Sequence, residues 1–292
     1  MYPYQRFVIL LRGGGDIATG IALRLFRSGF NRLIILETPR PLAVRRQVAF
    51  SEAVYEGVGA VEGTIAALAS RLEEVLPLWD AGCIPVMIDP QGVLVPRIRP
   101  DVIIEATLAK RNIGVSITDA PLVIGIGPGF TAGKDVHRIV ETNRGHDLGR
   151  VLAEGSAAPD TGIPGDIAGM TTERVLRAPQ TGIFRTRHDI GDHVKAGDVV
   201  ATVEAGGTAT EIRTVIGGVI RGLLRSGTPV RDKVKVGDVD PRDNTVCHHV
   251  SDKAFAIGGG VLEALLGRFN HPCRIRRGVL HCPPVDKFPT TA

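Results

Sequence analysis

Two glycine-rich turns hold the residue types suited to binding an anion. The first, Gly13-Gly14-Gly15-Asp16-Ile17-Ala18, fits G-x-G-x-x-A between an apolar run and a helical stretch. Glycines there allow a tight turn and let backbone N–H groups approach a phosphate, and a helix N-terminus adds a favourable dipole. Glu37 follows Gly15 by 22 residues, the place of a ribose-binding acid in a dinucleotide fold. Arg40 and the pair Arg45-Arg46 come next. Their planar guanidinium groups suit a 2′-phosphate or another anion, or else a solvated basic face. The second turn, Gly125-Ile126-Gly127-Pro128-Gly129-Phe130-Thr131, ends another apolar run. With a helix expected from about Ala132, Gly127, Gly129 and Thr131 form a second anion-binding loop. His137, Arg144 and His146 are the polar candidates beside it.

Metal and thiol chemistry have weaker support. Cys247-His248-His249 and the tail residues His271, Cys273, His281 and Cys282 are ligand types without C-x-x-C or H-x-x-x-H spacing, so no metal site is expected. Cys83 opens an apolar strand and reads as core. Four cysteines in 292 residues are too scattered for a disulfide framework.

The turns need elements to position them. Residues 7–11 form a continuous apolar run, as for a strand buried on both faces. Ile17, Ala18, Ile21, Ala22 and Leu25 recur at helical spacing, and Gly29 ends that helix. Residues 33–36 are the next strand, with Glu37 at its C-terminal end. Residues 64–79 predict a helix, with Ile65, Leu68, Leu72 and Leu76 on one stripe. Residues 84–88, 102–104 and 122–126 read as strands. The expected fold class is α/β, with a Rossmann-like parallel sheet over residues 1–172. Residues 155–172, rich in Gly, Pro, Ser and Thr, read as a linker.

An internal repeat follows. Gly182-Ile183-Phe184-Arg185 recurs as Gly218-Val219-Ile220-Arg221, and Gly197-Asp198-Val199 as Gly237-Asp238-Val239. Two similar four-strand halves predict an all-β biotinyl/lipoyl-like (barrel-sandwich hybrid) module over residues 173–242. Carrier domains of that type modify a lysine on the hairpin between the halves. No lysine lies between Lys195 and Lys233, so the module is expected to be structural or an interaction surface. Residues 243–292 supply a C-terminal helix and a polar tail. Ser251 is a good N-cap, and Ala254, Ile257, Val261 and Leu265 share one face. Gly258-Gly259-Gly260 either lets that helix pack very closely or breaks it.

Composition excludes several classes. The 36 glycines are about 12% of the chain but show no Gly-X-Y period, which excludes collagen. With 43% hydrophobic residues and a net charge of +4, wholesale disorder is excluded. No apolar run approaches a bilayer span, and no charged n-region precedes an apolar h-region. Neither a membrane nor a nucleic-acid partner is expected, because charges of both signs are interspersed and no aromatic RNA-binding motif occurs. A cytoplasmic location is expected, and a homo-oligomer is left open.

Longer blocks add a resemblance. Residues 12–20 (RGGGDIATG), 41–46 (PLAVRR), 50–57 (FSEAVYEG), 120–133 (APLVIGIGPGFTAG), 144–149 (RGHDLG), 235–242 (KVGDVDPR) and 256–264 (AIGGGVLEA), with Asp135-Val136-His137 and Glu141-Thr142, resemble the selenium-dependent molybdenum hydroxylase system protein family, YqeB type. The likeness runs over about residues 6–267. That family is distantly similar to XdhC/CoxI proteins, which assist maturation of molybdenum hydroxylases, so the resemblance implies an accessory role. The cysteines avoid the glycine turns, which gives covalent sulfur or selenium transfer little support. The expected function is therefore binding of a nucleotide or a molybdopterin-dinucleotide-type ligand during hydroxylase maturation. The expected binding residues are Gly13, Gly14, Gly15, Asp16, Glu37, Arg40, Gly127, Gly129 and Thr131. Two other readings stay open: an NAD(P)-dependent oxidoreductase with His137 as acid, or a non-catalytic scaffold whose β repeat docks a partner molybdenum hydroxylase.

Overall fold

The computed structural model describes residues 6–242 and 244–269, together with the backbone of 274–276 and 279–281. Strand β1 (Ile9–Arg12) is wholly buried, and helix α1 (Asp16–Arg27) follows after the first glycine turn. Asp16 in the first turn of α1 and Arg24 and Arg27 in its last complement the helix dipole. Strands β2 (Leu33–Glu37), β3 (Val58–Val61), β4 (Thr64–Leu68) and β5 (Ile84–Ile88) come next. They are followed by β6 (Val102–Glu105), β7 (Leu122–Ile126), β8 (Arg138–Val140) and β9 (Val151–Leu152). These nine form one sheet in the order β3-β4-β5-β2-β1-β6-β7-β8-β9. Neighbours from β4 to β8 pair in parallel, and the edge pairs β3/β4 and β8/β9 are antiparallel.

Both faces of the sheet are covered. Helix α2 (Ala53–Glu56), α3 (Val75–Asp80) and α4 (Val95–Ile98) are short. The long helix α5 (Asp252–Phe269) returns from the end of the chain to pack on α1, and both join one buried cluster with Ile9, Leu11, Ile35 and Ile124. The opposite face carries Leu10, Ile34, Met87 and Val123 against Val75 and Trp79. The three glycines do not break α5. A Cβ on Gly258 would lie 3.0 Å from Arg24 Cβ, and one on Gly260 would overlap Gly149 O, whereas one on Gly259 would meet nothing. Gly20 of α1 is equally constrained, since a Cβ there would stand 2.6 Å from Ala254 Cβ.

The repeat region contains β10 (Val175–Arg177), β11 (Gly182–Arg185), β12 (His193–Val194) and β13 (Val199–Ala205). Its second half contains β14 (Thr208–Arg213), β15 (Gly218–Leu223), β16 (Pro229–Val230) and β17 (Lys235–Asp240). The two antiparallel sheets are ordered β10-β17-β15-β12 and β14-β13-β11-β16. Each sheet takes two strands from each half, so neither half closes a sheet alone.

The expected fold class is corrected. A Rossmann-like parallel sheet followed by a biotinyl/lipoyl-like module does not describe this molecule. Its main sheet is nine strands wide and mixed, and its β region is two four-stranded antiparallel sheets. The stretch expected as a helix over residues 64–79 begins instead as strand β4, paired to β3 through a tight turn at Glu62 (φ 46°) and Gly63 (φ 81°). Positive φ at both residues suits a two-residue hairpin turn. The helix expected from Ala132 is also absent. Asp135 accepts a hydrogen bond from Thr131 N at 2.8 Å, Gly133 turns at φ 82°, and the chain enters β8. The stretch 155–172 does not hang free: Gly165 and Ile167 line the cleft described next, and Gly165 O accepts from Arg174 Nη2.

Candidate functional site

The strand order reverses at β1, whose neighbours β2 and β6 are reached in opposite directions. In open α/β sheets such a reversal leaves a crevice beyond the strand C-termini. At the C-terminal ends of β1 and β6 the buried pair Arg12–Glu105 ties the two strands, with Arg12 Nη1 3.1 Å from Glu105 Oε2. Glu105 Oε1 accepts from Thr107 N and Oγ1, which fixes the turn after β6.

The three glycines of the first turn divide their roles. Gly13 (φ 91°) donates to Leu36 O, and a Cβ there would lie 3.1 Å from Thr107 Cα. Gly14 is pressed against Ser51 N, accepts its hydrogen bond, and donates to Glu37 Oε2 at 2.7 Å. Glu37 Oε1 accepts from Thr38 N. The carboxylate thus braces the turn, and each oxygen keeps a further acceptor site. Gly15 is different: a Cβ there would meet nothing within 4 Å. Gly15 faces open space, and Gly13 and Asp16 also line it.

That space is a cleft of about 1170 Å³, which exceeds the roughly 300–1,000 Å³ of ordinary small-molecule pockets. Gly13, Gly15, Asp16, Glu37 and Arg40 line it from the sheet side. Arg174, Arg221, Lys235 and Asp238 line it from the β region, and Ser251 and Lys253 from the start of α5. With Arg45 and Arg144, seven cationic side chains face three acidic ones, Asp16, Glu37 and Asp238. The pair Arg45-Arg46 splits. Arg45 lines the cleft, whereas Arg46 leaves it to donate to Leu223 O and to meet Asp189.

Several of these charges are already paired. Asp238, almost fully buried, meets Arg174 Nη1 at 3.1 Å and Lys235 Nζ at 3.3 Å. Arg144 forks onto both oxygens of Asp252, at 2.9 and 3.1 Å, and this holds the Asp252 carboxyl down at about 2. Arg45 is less satisfied. It is 7% exposed, and its Nη2 donates to Cys247 O and His249 O. Its Nε and Nη1 are buried with no hydrogen-bond partner. Burial, then the neighbouring charge of Arg221, lowers the Arg45 pKa. Burial, then Arg144, likewise lowers the Lys253 pKa, with Asp16 opposing.

The second glycine turn is not brought to this cleft. Gly127, Gly129 and Thr131 are absent from its lining. Gly127 packs on the Thr142 side chain, and a Cβ on Gly129 (φ 113°) would stand 2.5 Å from Arg111 N. No helix follows to supply a dipole, so the loop is a close backbone crossing. His137 also lies outside the lining; its Nδ1 accepts from Val123 N, and burial, with Arg268 and Arg138, lowers its pKa. Arg144 lines the cleft and the exposed His146 does not.

No cluster of three metal-ligating side chains occurs among the described residues. His271, Cys273 and Cys282 lie outside the described residues, as does the side chain of His281. Cys83 is half-buried rather than core. Cys247 is buried, and burial pushes its thiol pKa up, away from nucleophile character. Sequence reading missed Arg174, Arg221, Lys235, Asp238, Ser251 and Lys253 as cleft residues. One signal existed: Arg221 and Asp238 both sit inside the repeated blocks.

Comparison with known proteins follows the motif blocks. The chain is 46% identical over 280 residues to "Uncharacterized protein YqeB" of Escherichia coli K12, which supports the YqeB resemblance. The alignment takes in 96% of this chain and 51% of that protein, so the chain spans about half the length of the curated relative it matches. No family model matches the chain. Among solved structures, an aspartoacylase family protein from Mesorhizobium loti is 16% identical over 80% of this chain and 85% of that one, with a TM-score of 0.27. A succinylglutamate desuccinylase/aspartoacylase from Rhodobacter sphaeroides is 14% identical over 80% and 85%, with a TM-score of 0.26. The Kluyveromyces lactis urea carboxylase is 26% identical over 30% of this chain and 7% of that one, with a TM-score of 0.23. Overlaps this low support no functional inference. Among the described residues, no helix is long and apolar enough to cross a membrane.

Proposed function

We propose that this protein is an accessory factor in the maturation of selenium-dependent molybdenum hydroxylases. In this reading its cleft holds a nucleotide or a molybdopterin-dinucleotide-type ligand, in the cytoplasm. The maturation role rests on the motif blocks and their family resemblance. The binding role rests on one observation: a large cleft with a cationic excess opens onto Gly15 at the strand-order reversal.

The residues present fit a dinucleotide. Arg45 has two buried donors without a partner, and Ser51 Oγ, buried in the same lining, has none either. A doubly negative diphosphate bridge supplies acceptors for such donors. Asp16 cannot itself hold a phosphate, because both are negative. Its carboxylate suits a ligand hydroxyl, as does the free acceptor capacity of Glu37. Hydride transfer has less support than binding, since His137 stands outside the cleft.

A complementation experiment tests the accessory role. Loss of the gene should leave the partner hydroxylase present but inactive. The wild-type chain should restore activity, and Gly15→Val should not, because its side chain enters the cleft. Full hydroxylase activity without the gene contradicts the proposal.

A further inference from the structure

We propose that the cleft wall built on Arg45 and Arg221, with the Ser51 hydroxyl, is a subsite for a phosphate or diphosphate group. It deepens the reading of the cleft as a ligand site and rests on it. The argument starts from donors that the protein leaves unmet. Arg45 is clamped by Cys247 O at 3.1 Å and His249 O at 3.0 Å, both on Nη2. That clamp fixes the guanidinium while Nε and Nη1 stay buried and unpartnered. Buried polar groups almost always find a partner, and charged ones carry the largest penalty when they do not. Ser51 repeats the pattern at 1% exposure, because its N–H serves Gly14 O while its Oγ bonds to nothing.

The neighbouring carboxylates are committed elsewhere. Asp238 serves Arg174 and Lys235. Asp240 is held by Arg242 through Nε at 2.9 Å and Nη2 at 2.7 Å, and Arg221 reaches it only at 3.8 Å. Arg45 and Arg221 both line the cleft, and Arg221 is the like charge that most lowers the Arg45 pKa. Asp16 opposes with the largest effect on Arg45, ahead of Asp238, which already serves Arg174 and Lys235. A multiply charged anion adds negative charge at this wall. The guanidinium groups favour a multi-oxygen anion such as phosphate over a halide. The subsite draws on the segment after β2, where Ser51 N–H bonds to Gly14 O of the glycine turn, and on β15.

The probe is inorganic pyrophosphate, titrated calorimetrically into the full chain, with ADP titrated in parallel. Wild type should bind pyrophosphate saturably. Arg221→Gln should weaken it about tenfold, and Ser51→Ala should weaken it measurably. Arg221 makes one long ion contact and Ser51 Oγ makes no hydrogen bond, so neither change removes a structural bond. An unchanged melting temperature confirms the fold. Pyrophosphate binding that both variants leave unchanged, or no pyrophosphate binding to wild type, overturns the inference. ADP bound by wild type and lost in Gly15→Val would keep the cleft reading alive even then. Absence of both ligands overturns both.

Discussion

At the scale of single residues, glycine does two opposite jobs here. Gly129 and Gly15 look equivalent in sequence, each in a glycine-rich turn after an apolar strand. Their surroundings separate them. Gly129→Ala forces a Cβ at φ 113° to within 2.5 Å of Arg111 N. The variant should lose about 2–4 kcal/mol in urea denaturation. Gly15→Ala, with φ −68° and open space, should stay within about 1 kcal/mol of wild type. Equal losses would mean that the second loop is not a backbone crossing. His137 supplies a pH dependence. Its folded pKa lies below the ordinary 6.5, so the unfolded chain binds the proton more readily. Its contribution is complete above that value and is lost as pH falls below it. The urea midpoint should therefore drop between pH 7.5 and 5.5, and His137→Gln should shrink that drop. Gly14, also expected to bind, packs against Ser51 and is not in the lining. Gly13, Gly15, Asp16, Glu37 and Arg40 were legible as cleft residues because they lie around one strand–turn–helix–strand unit. Arg221 and Lys253 were not, since only tertiary packing brings β15 and the start of α5 to that unit.

At the scale of elements, apolar runs were the reliable signal. Residues 84–88 and 122–126 are strands as expected, and α5 begins at Asp252, directly after the expected N-cap Ser251, whose Oγ accepts from Ala254 N. The stripe Ile65, Leu68, Leu72 and Leu76 misled in part, because it runs across strand β4, a 3-10 turn at Leu72–Glu74 and helix α3, so only its end is helical. Ile65 points to solvent at 43% exposure, and Leu76 at 56%. Among the three glycines of α5, Gly258 lets the helix approach α1 and Gly260 lets it approach the backbone at Gly149. Gly259→Ala should stabilise by about 0.5–1 kcal/mol, since it relieves a helix glycine and meets nothing. Gly260→Ala should cost about 1–3 kcal/mol by driving a methyl into Gly149 O. Thermal or urea unfolding of the two variants measures the contrast, and a common sign would contradict the packing described.

At the scale of the whole molecule, the segment between β2 and β3 joins the two halves. Val44 O accepts from Leu223 N, and Arg46 donates to Leu223 O. Arg225 reaches back to Glu52 and Glu56 and lies 4.8 Å over the Tyr55 ring. This seam holds Arg45 and Ser51 against the wall bearing Arg221. Arg225→Met should cost about 1 kcal/mol and speed amide exchange at Leu223. Unchanged exchange would show that the seam is held elsewhere. The α5 return explains why the chain reads as three consecutive regions yet packs its last helix into the first core. The central claim is that the cleft between these parts holds a phosphate-bearing, nucleotide-type ligand. Calorimetric titration of the wild-type chain and Gly15→Val with ADP, NAD, NADP and a molybdopterin dinucleotide tests it most directly. The account predicts saturable binding of at least one of them to wild type and none to Gly15→Val. No binding to wild type, or equal binding to both proteins, would contradict it.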